Sequence, residues 1–302
     1  MITSSFHTPL RYPGGKGRLT NFVQKIIACN ELLGGTYVEP FAGGAGIAIS
    51  LLLKGFVSKI VLNDADISIY RLWKSITEHN DELIEAVRSV DLNIDEWERQ
   101  HEIQLHKEKH STFDTGFSTL YLNRTNRSGI LLAGPIGGKS QNGKYKLDAR
   151  FNREDIITRV KAIGDVADRI DLYCSDASYL LQSYLPQEYA QDNTLIYIDP
   201  PYYEKGSSLY MNHYDKADHE ELSNIIKNLD FKWLLSYDDV PEIRKMYDWS
   251  IPHEFDMHHH ADLAHIGHEL FYSSKDLLID DIVITPKRIR FDRNRYNDAE
   301  TR

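Results

Sequence analysis

Five short apolar runs recur along the chain, and each reads as a buried strand: Thr36–Glu39, Lys59–Asn63, 171–174, Thr194–Ile198 and 231–236. Valine, isoleucine and leucine follow one another there with little polar alternation, the pattern of parallel strands covered on both faces. A sixth run, 281–285, is a candidate for one more strand. Helical stretches lie between them. In 218–229, Leu222, Ile225, Ile226 and Leu229 fall at i, i+3, i+4 and i+7 and so share one face of a helix. Alternating strands and helices predict an α/β domain around an open, mostly parallel sheet.

The alternation breaks between residues 67 and 164. Charge-rich amphipathic text over 81–110 gives way to a loop-like stretch holding Gly129, Gly134, Gly137, Gly138 and Gly143. The segment is too long for a crossover and reads as an inserted domain. The chain then divides into a catalytic core of residues 1–66 and 166–302 and an insert of 67–165. The polar tail from Arg288 is expected to be loosely ordered.

Composition narrows the class. Hydrophobic residues at 41% and charged residues at 26% of 302 exclude a disordered or fibrous chain. No run approaches the ~20 apolar residues of a membrane span. The first seven residues lack a basic region followed by an apolar core, which predicts no secretory leader. Cys29 and Cys174 stand far apart without metal-like spacing and suggest a reducing cytoplasm. A net charge of −10 argues against a nucleic-acid partner if taken as an average. The charge is uneven, however: residues 121–161 carry nine basic side chains against three acidic ones. Such a patch supplies phosphate contacts while the remaining surface stays acidic.

Three sites along the predicted strands carry chemistry. The first, Glu39-Pro40-Phe41-Ala42-Gly43-Gly44-Ala45-Gly46, is a strand end, a glycine turn and a helix start. Such a turn lets a ligand lie against backbone beyond the strand, though the Gly-x-Gly-x-x-Gly of dinucleotide enzymes is absent. The second is Asp64, an acid one βα unit later, positioned to accept both hydroxyls of a ribose. A lone acid there also serves as a plain turn or helix cap. The third and sharpest is Asp199-Pro200-Pro201-Tyr202 after a buried strand. An exocyclic amino group on adenine or cytosine is a weak nucleophile, because its lone pair is delocalised into the ring. The Asp199 carboxylate and the Pro200 carbonyl offer two acceptors for its hydrogens, and Tyr202 offers a stacking surface for a base drawn out of a duplex.

Asp-Pro-Pro-Tyr with an upstream Phe-x-Gly-Gly-x-Gly resembles the amino-methyltransferases. Pro9-Leu10-Arg11-Tyr12-Pro13-Gly14-Gly15-Lys16 is similar to the N-terminal signature of the Dam-type adenine-N6 DNA methyltransferases, and the order of motifs matches that family to about Arg288. Read without the family, Tyr12–Lys16 is a basic surface turn that fails the phosphate-loop pattern. The resemblance implies a seven-stranded-type, S-adenosylmethionine-dependent methyltransferase core with an inserted, mainly helical DNA-recognition domain. It implies cofactor contacts from Tyr12, Lys16, Glu39, Phe41, Gly43, Asp64, Asp176 and Asp199, with Asp176 beside the cofactor's adenine. The target base falls to Asp199, Pro200 and Tyr202, and transfer is direct and in line after base flipping. Duplex DNA is the implied partner, with a cognate restriction endonuclease the further one if the enzyme is half of a restriction–modification pair. The implied setting is the cytoplasm of a bacterium, or of the bacterial host of a phage.

In the insert, Tyr121–Gly129 followed by Gly134-Pro135-Ile136-Gly137-Gly138 resembles the family's DNA-contacting loop. Asn123, Arg124, Asn126 and Arg127 are side chains able to bond base edges bidentately, and equally able to contact phosphates. Lys139, Lys144 and Lys146 add charge. After Asn123-Arg124 the sequence departs from the Gly-x-Asn-Gly-Leu of enzymes that methylate GATC, so the target sequence is left open. The histidines of 257–260, with His253, His265 and His268, lack cysteines and any His-Glu-x-x-His; they read as a mobile loop at the active-site mouth, with no metal required. Two other readings stand. Glutamine-directed and RNA methyltransferases share the core, but the former carry Asn where Asp199 stands; an inactive binding relative would not need Lys16, Asp64, Asp199 and Tyr202 intact.

Overall fold

The computed structural model describes residues 7–11, 19–203, 214–259, 265–279, 282–283 and 290–291, with backbone alone over 254–259, 265–268 and the last two pairs. Seven strands form one sheet: β1 (Thr36–Glu39), β2 (Lys59–Asn63), β3 (Ile170–Tyr173), β4 (Thr194–Ile198), β5 (Lys232–Asp238), β6 (His253–His259) and β7 (His265–Ser273). Their spatial order is β3-β2-β1-β4-β5-β7-β6. The first five run parallel; β7 pairs antiparallel with β5, and β6 with β7. The sheet is open and mostly parallel, as the strand text anticipates, and has the seven strands that the family resemblance implies.

Alternate residues of each strand enter opposite layers, as a pleated strand requires. Tyr37, Ile60, Leu62, Leu195, Tyr197 and Leu234 join one apolar cluster. Val38, Val61, Ile196, Ile198 and Leu235 join the other, with Leu222 and Ile226 of the helix Lys216–Lys227. That helix begins with a capping box: the Asp215 side chain accepts from Asp218 N–H, and Asp218 accepts from Asp215 N–H.

On the first face lie α1 (Thr20–Cys29), α2 (Gly46–Leu53) and the helices of the 67–165 segment: α3 (Ile67–Glu78), α4 (Asn80–Ser89), α5 (Ile94–Leu105), α6 (Thr112–Thr125) and α7 (Arg153–Gly164). The apolar cluster runs without a break from Leu51, Ile60 and Leu62 into Trp73, Leu83, Trp97, Leu120 and Val160 of these helices. α6 is the middle of that layer, with Thr115 to Thr125 all buried. Several of its polar side chains find partners inside: Ser118 Oγ donates to the Gln100 carbonyl at 2.6 Å, and Thr119 Oγ1 accepts from Gln104 Nε2 at 2.8 Å. Gly116 lets α6 and α3 meet, since a Cβ there would stand 2.6 Å from the Arg71 carbonyl and 2.2 Å from Ser75 Oγ.

Several expectations are corrected. His253, His258 and His259 belong to β6 and His265 and His268 to β7, not to a loop, and their polar text does not mark either segment as a strand. His260 lies outside the described residues. The run 281–285 does not extend the main sheet; Ile282–Val283 pairs with Arg290–Phe291 in a separate ribbon, which also recruits part of the tail. Tyr121 to Thr125 end a helix instead of opening a loop. Among the described residues no helix is long and apolar enough to cross a membrane.

Candidate active site

Strand order reverses between β1 and β4, and an α/β sheet receives its ligand in the crevice outside the carboxyl ends at such a point. After β1 the chain turns through Gly43 and Ala45, both at φ 45°, before α2 begins. Glycine takes this left-handed backbone freely, whereas Ala45 is held there by its surroundings at some cost. The turn is fastened on both sides. Gly43 N–H donates to Asp64 Oδ2 at 2.9 Å, and the Gly43 carbonyl accepts from Trp73 Nε1 at 3.0 Å. Asn63 ties three strand ends together: its Nδ2 donates to the carbonyls of Pro40 (2.9 Å) and Ser175 (3.0 Å), and its Oδ1 accepts from Ser175 N–H (3.0 Å).

Two carboxyl groups sit low in this crevice. Desolvation pushes the Glu39 carboxyl up to about 8, although the Ala48 amide of α2 donates to its Oε1 at 3.2 Å. Desolvation also raises Asp64 to about 7, against amide bonds from Asp66 and Gly43. Both folded-state values lie above the ordinary carboxylate range, so the neutral forms favour folding. Their contribution is complete below about pH 4 and is lost as pH rises through 7 and 8. The ligand-free protein is therefore expected to lose melting temperature from pH 5.5 to 8.5, on the order of a few kcal/mol of stability. Glu39→Gln keeps an acceptor for Ala48 and should flatten that slope. A variant with an unchanged slope in differential scanning calorimetry would exclude Glu39 as its source.

Asp176 caps the helical turn after β3, accepting Ser178 N–H at 2.8 Å, and its other oxygen accepts from Tyr214 Oη at 3.3 Å. Tyr214 meets Phe41 edge-on at 5.5 Å between ring centroids. Phe41, Asp176 and Tyr214 thus gather on one side of the crevice.

At the end of β4, the neighbouring strands grip the Asp-Pro-Pro-Tyr segment. Ser236 Oγ of β5 donates to Asp199 Oδ1 at 2.7 Å and lies 2.9 Å from Tyr197 Oη. Tyr203 N–H donates to Asp238 Oδ1 at 3.1 Å. Tyr202 Oη donates at 2.7 Å to Oε1 of Glu269 on β7, a carboxylate 1% exposed. Pro200 is buried and Tyr202 half-buried. The carboxylate and the ring of the motif therefore each have a fixed orientation before any substrate arrives. Trp73, Asn63, Tyr214, Ser236 and Glu269 are the site residues that the sequence did not single out.

The anticipated DNA-contacting residues split into two groups. Asn123 and Asn126 are 2% and 0% exposed, and their amides are engaged in building the loop. Asn123 bonds both main-chain groups of Arg11 (2.8 and 2.7 Å) and donates to the Gly129 carbonyl (3.0 Å). Asn126 donates to the carbonyls of Ile130 and Leu131 and accepts from Trp97 Nε1 at 2.6 Å. Arg124 is 9% exposed and donates to the Pro9 carbonyl at 3.3 Å. In the structure these three side chains are turned inward, to the loop and to the N-terminal segment. Arg127, Lys139, Lys144 and Lys146 are exposed, Lys139 paired with Glu98 at 2.9 Å. Tyr12 and Lys16 lie outside the described residues. Among the described residues no group of three or more His, Cys, Asp or Glu side chains is placed to hold a metal ion.

The chain is 23% identical over 223 residues to the type II methyltransferase M.MjaIII of Methanocaldococcus jannaschii, covering 69% of this chain and 73% of that protein. It is 26% identical over 238 residues to the type II methyltransferase M.CviBI of Paramecium bursaria Chlorella virus NC1A, covering 78% and 86%. The family model described as D12 class N6 adenine-specific DNA methyltransferase matches residues 12–266, from the N-terminal signature through the Asp-Pro-Pro-Tyr segment and into β7. The chain belongs to the D12 class of N6 adenine-specific DNA methyltransferases.

Proposed function

We propose that this adenine-specific DNA methyltransferase flips its target adenine out of duplex DNA and holds the amino group between Asp199 and the Pro200 carbonyl. The observation that carries the reading is the pre-set motif, with Asp199 locked by Ser236 and the Tyr202 ring locked by Glu269. A ring held by its hydroxyl stacks on a base without first losing rotamer freedom. A carboxylate fixed by a neighbouring hydroxyl accepts an amino hydrogen without reorganising, which is how a polar site favours a transition state. Polarised in this way, the adenine nitrogen presents its lone pair to the methyl donor.

The crevice residues fit S-adenosylmethionine by their chemistry. Asp64 offers carboxylate oxygens for ribose hydroxyls, one βα unit after the glycine turn. Phe41 and Tyr214 offer aromatic walls for an adenine ring, and Asp176 offers an acceptor for its amino group. When bound, the cofactor supplies an electrophilic methyl group. Arg127, Lys139, Lys144 and Lys146 are exposed and basic, which suits contact with a DNA backbone, and the type II names of the relatives support a place in a restriction–modification pair.

The test replaces the target adenine of a duplex substrate with 2-aminopurine and follows its fluorescence on binding, alongside transfer of labelled methyl to unmodified DNA. A rise in fluorescence at the target position and N6-methyladenine as product are expected. Methylation without any unstacking signal would exclude base flipping, and a product other than N6-methyladenine would exclude the assignment of Asp199.

A further inference from the structure

The end of β5 holds the crevice through three consecutive residues. Ser236 Oγ donates to Asp199 Oδ1, and Asp238 Oδ1 accepts from Tyr203 N–H. Between them Tyr237 enters the opposite layer, as the pleat requires, beside the helix Lys216–Lys227. Its hydroxyl lies 2.7 Å from Nδ1 of His219, a residue 1% exposed on that helix. The His219 ring is packed among tyrosines, with its centroid 5.2 Å from Tyr203, 5.6 Å from Tyr214 and 5.6 Å from Tyr237. Its Nε2 is buried and has no hydrogen-bond partner. Desolvation lowers the His219 pKa, against the pull of Asp218 and Asp215, and keeps the ring neutral. Position explains the contact with Tyr214. Asp215 is the N-cap, so Tyr214 directly precedes the cap and His219 is the fourth residue of the helix. Side chains at those two places meet as a hydrophobic staple, which sets the angle at which a chain enters its helix. Leucine or phenylalanine would staple as well, and would leave no buried nitrogen unpaired. What the histidine adds is a tie from the staple to β5. The residue fastened in this way reaches the crevice, where the Tyr214 ring meets Phe41 and its hydroxyl donates to Asp176.

We propose that His219 is a positioning residue for the cofactor: tied to Tyr237, it holds Tyr214 in place as a wall for the cofactor's adenine. This rests on the reading of Phe41, Asp176 and Tyr214 as the adenine side of the crevice. His219 acts through Tyr214 and not on any reacting atom. Because Tyr237 stands between Ser236 and Asp238, the tie refers the adenine wall to the strand that also orients Asp199 and the Tyr203 main chain. One strand end then sets the donor and the target base against each other, and alignment of that kind lowers the barrier to an in-line transfer.

The experiment compares the whole protein with His219→Phe, Tyr237→Phe, the double variant and Tyr214→Ala. Phenylalanine at 219 keeps a ring in the staple, and Tyr237→Phe removes a hydroxyl and nothing else, so both preserve the packing. Calorimetry follows the binding of S-adenosylmethionine and of 5′-methylthioadenosine, which keeps the adenosine end and lacks the amino acid. Each single variant should bind both ligands about tenfold more weakly, the scale of one neutral hydrogen bond. The double variant should be no weaker than either single one, because all three lose the same tie. Single-turnover transfer at saturating cofactor should stay within about twofold of wild type, as expected when binding is lost and chemistry is not. A parallel fall in DNA affinity and in the saturating rate would mean that the pair only supports the fold, and would overturn the proposal. So would weaker S-adenosylmethionine binding with 5′-methylthioadenosine unaffected, since the tie would then serve the amino-acid end. Wild-type affinity in folded His219→Phe and Tyr237→Phe, beside lost affinity in Tyr214→Ala, would overturn the tie and leave the adenine wall standing. Unchanged affinity in Tyr214→Ala would overturn the wall itself, and the proposal with it.

Discussion

Asp199→Asn is expected to slow methyl transfer at least ~100-fold in a single turnover, the scale of losing one preorganised polar group in an active site. The substitution preserves shape, and Ser236 Oγ, 2.7 Å from Asp199 Oδ1, still has a carbonyl oxygen to meet. What disappears is charge. A carboxamide is a weaker acceptor than a carboxylate, and its amino end repels the amino hydrogens that Asp199 is proposed to draw. Transfer should be measured at saturating cofactor and DNA, so that altered binding does not pass for altered chemistry. Near-normal rates, or product only on cytosine, RNA or protein, would sink the role given to Asp199.

The second large effect concerns a residue whose type suggests DNA recognition and whose position assigns it to the fold. Asn126→Leu is expected to destabilise the protein by about 3 kcal/mol, because three partners, two of them buried, lose their bonds at once, each buried one worth roughly 1–3 kcal/mol when orphaned. They are Trp97 Nε1 and the carbonyls of Ile130 and Leu131. The check is the denaturant midpoint at unchanged slope, which isolates stability from compactness. A midpoint shift below about 1 kcal/mol together with a selective loss of DNA affinity would mean that Asn126 leaves this pocket to read the duplex.

That contrast shows where reading the sequence succeeds. β1, β2 and β4 are legible because parallel strands covered on both faces are apolar throughout, and Asp-Pro-Pro-Tyr is legible because its chemistry is local. β6 and β7 escape because their text is polar and histidine-rich, and β7 carries the buried Glu269. α6 escapes for the reverse reason: it is buried almost all round, so no polar face marks its period, and threonine, serine and asparagine fill core positions. The residues that orient the site are the hardest to see. Ser236 stands 37 positions from Asp199 and Glu269 stands 67 from Tyr202, so only the strand order β4-β5-β7 brings them together. Asn126 and Arg124 show why side-chain contacts are hard to read: residue type records what a side chain can bond, while burial sets which partners it meets in the fold.

The unbroken apolar cluster between the sheet and α3 to α7 bears on how such an enzyme could be retargeted. Transplanting a relative's whole 67–165 segment would cut through a shared interior and require Trp73, Leu120 and Val160 to find new neighbours in one step. On the proposed reading of the loop as DNA-facing, the exchangeable cassette would be smaller. It starts after Asn126, whose bonds close the base of the loop, and ends before Leu147, which is again buried in the common core. Within those bounds, specificity could diverge between lineages by small insertions and point changes while the scaffold beneath stays the same.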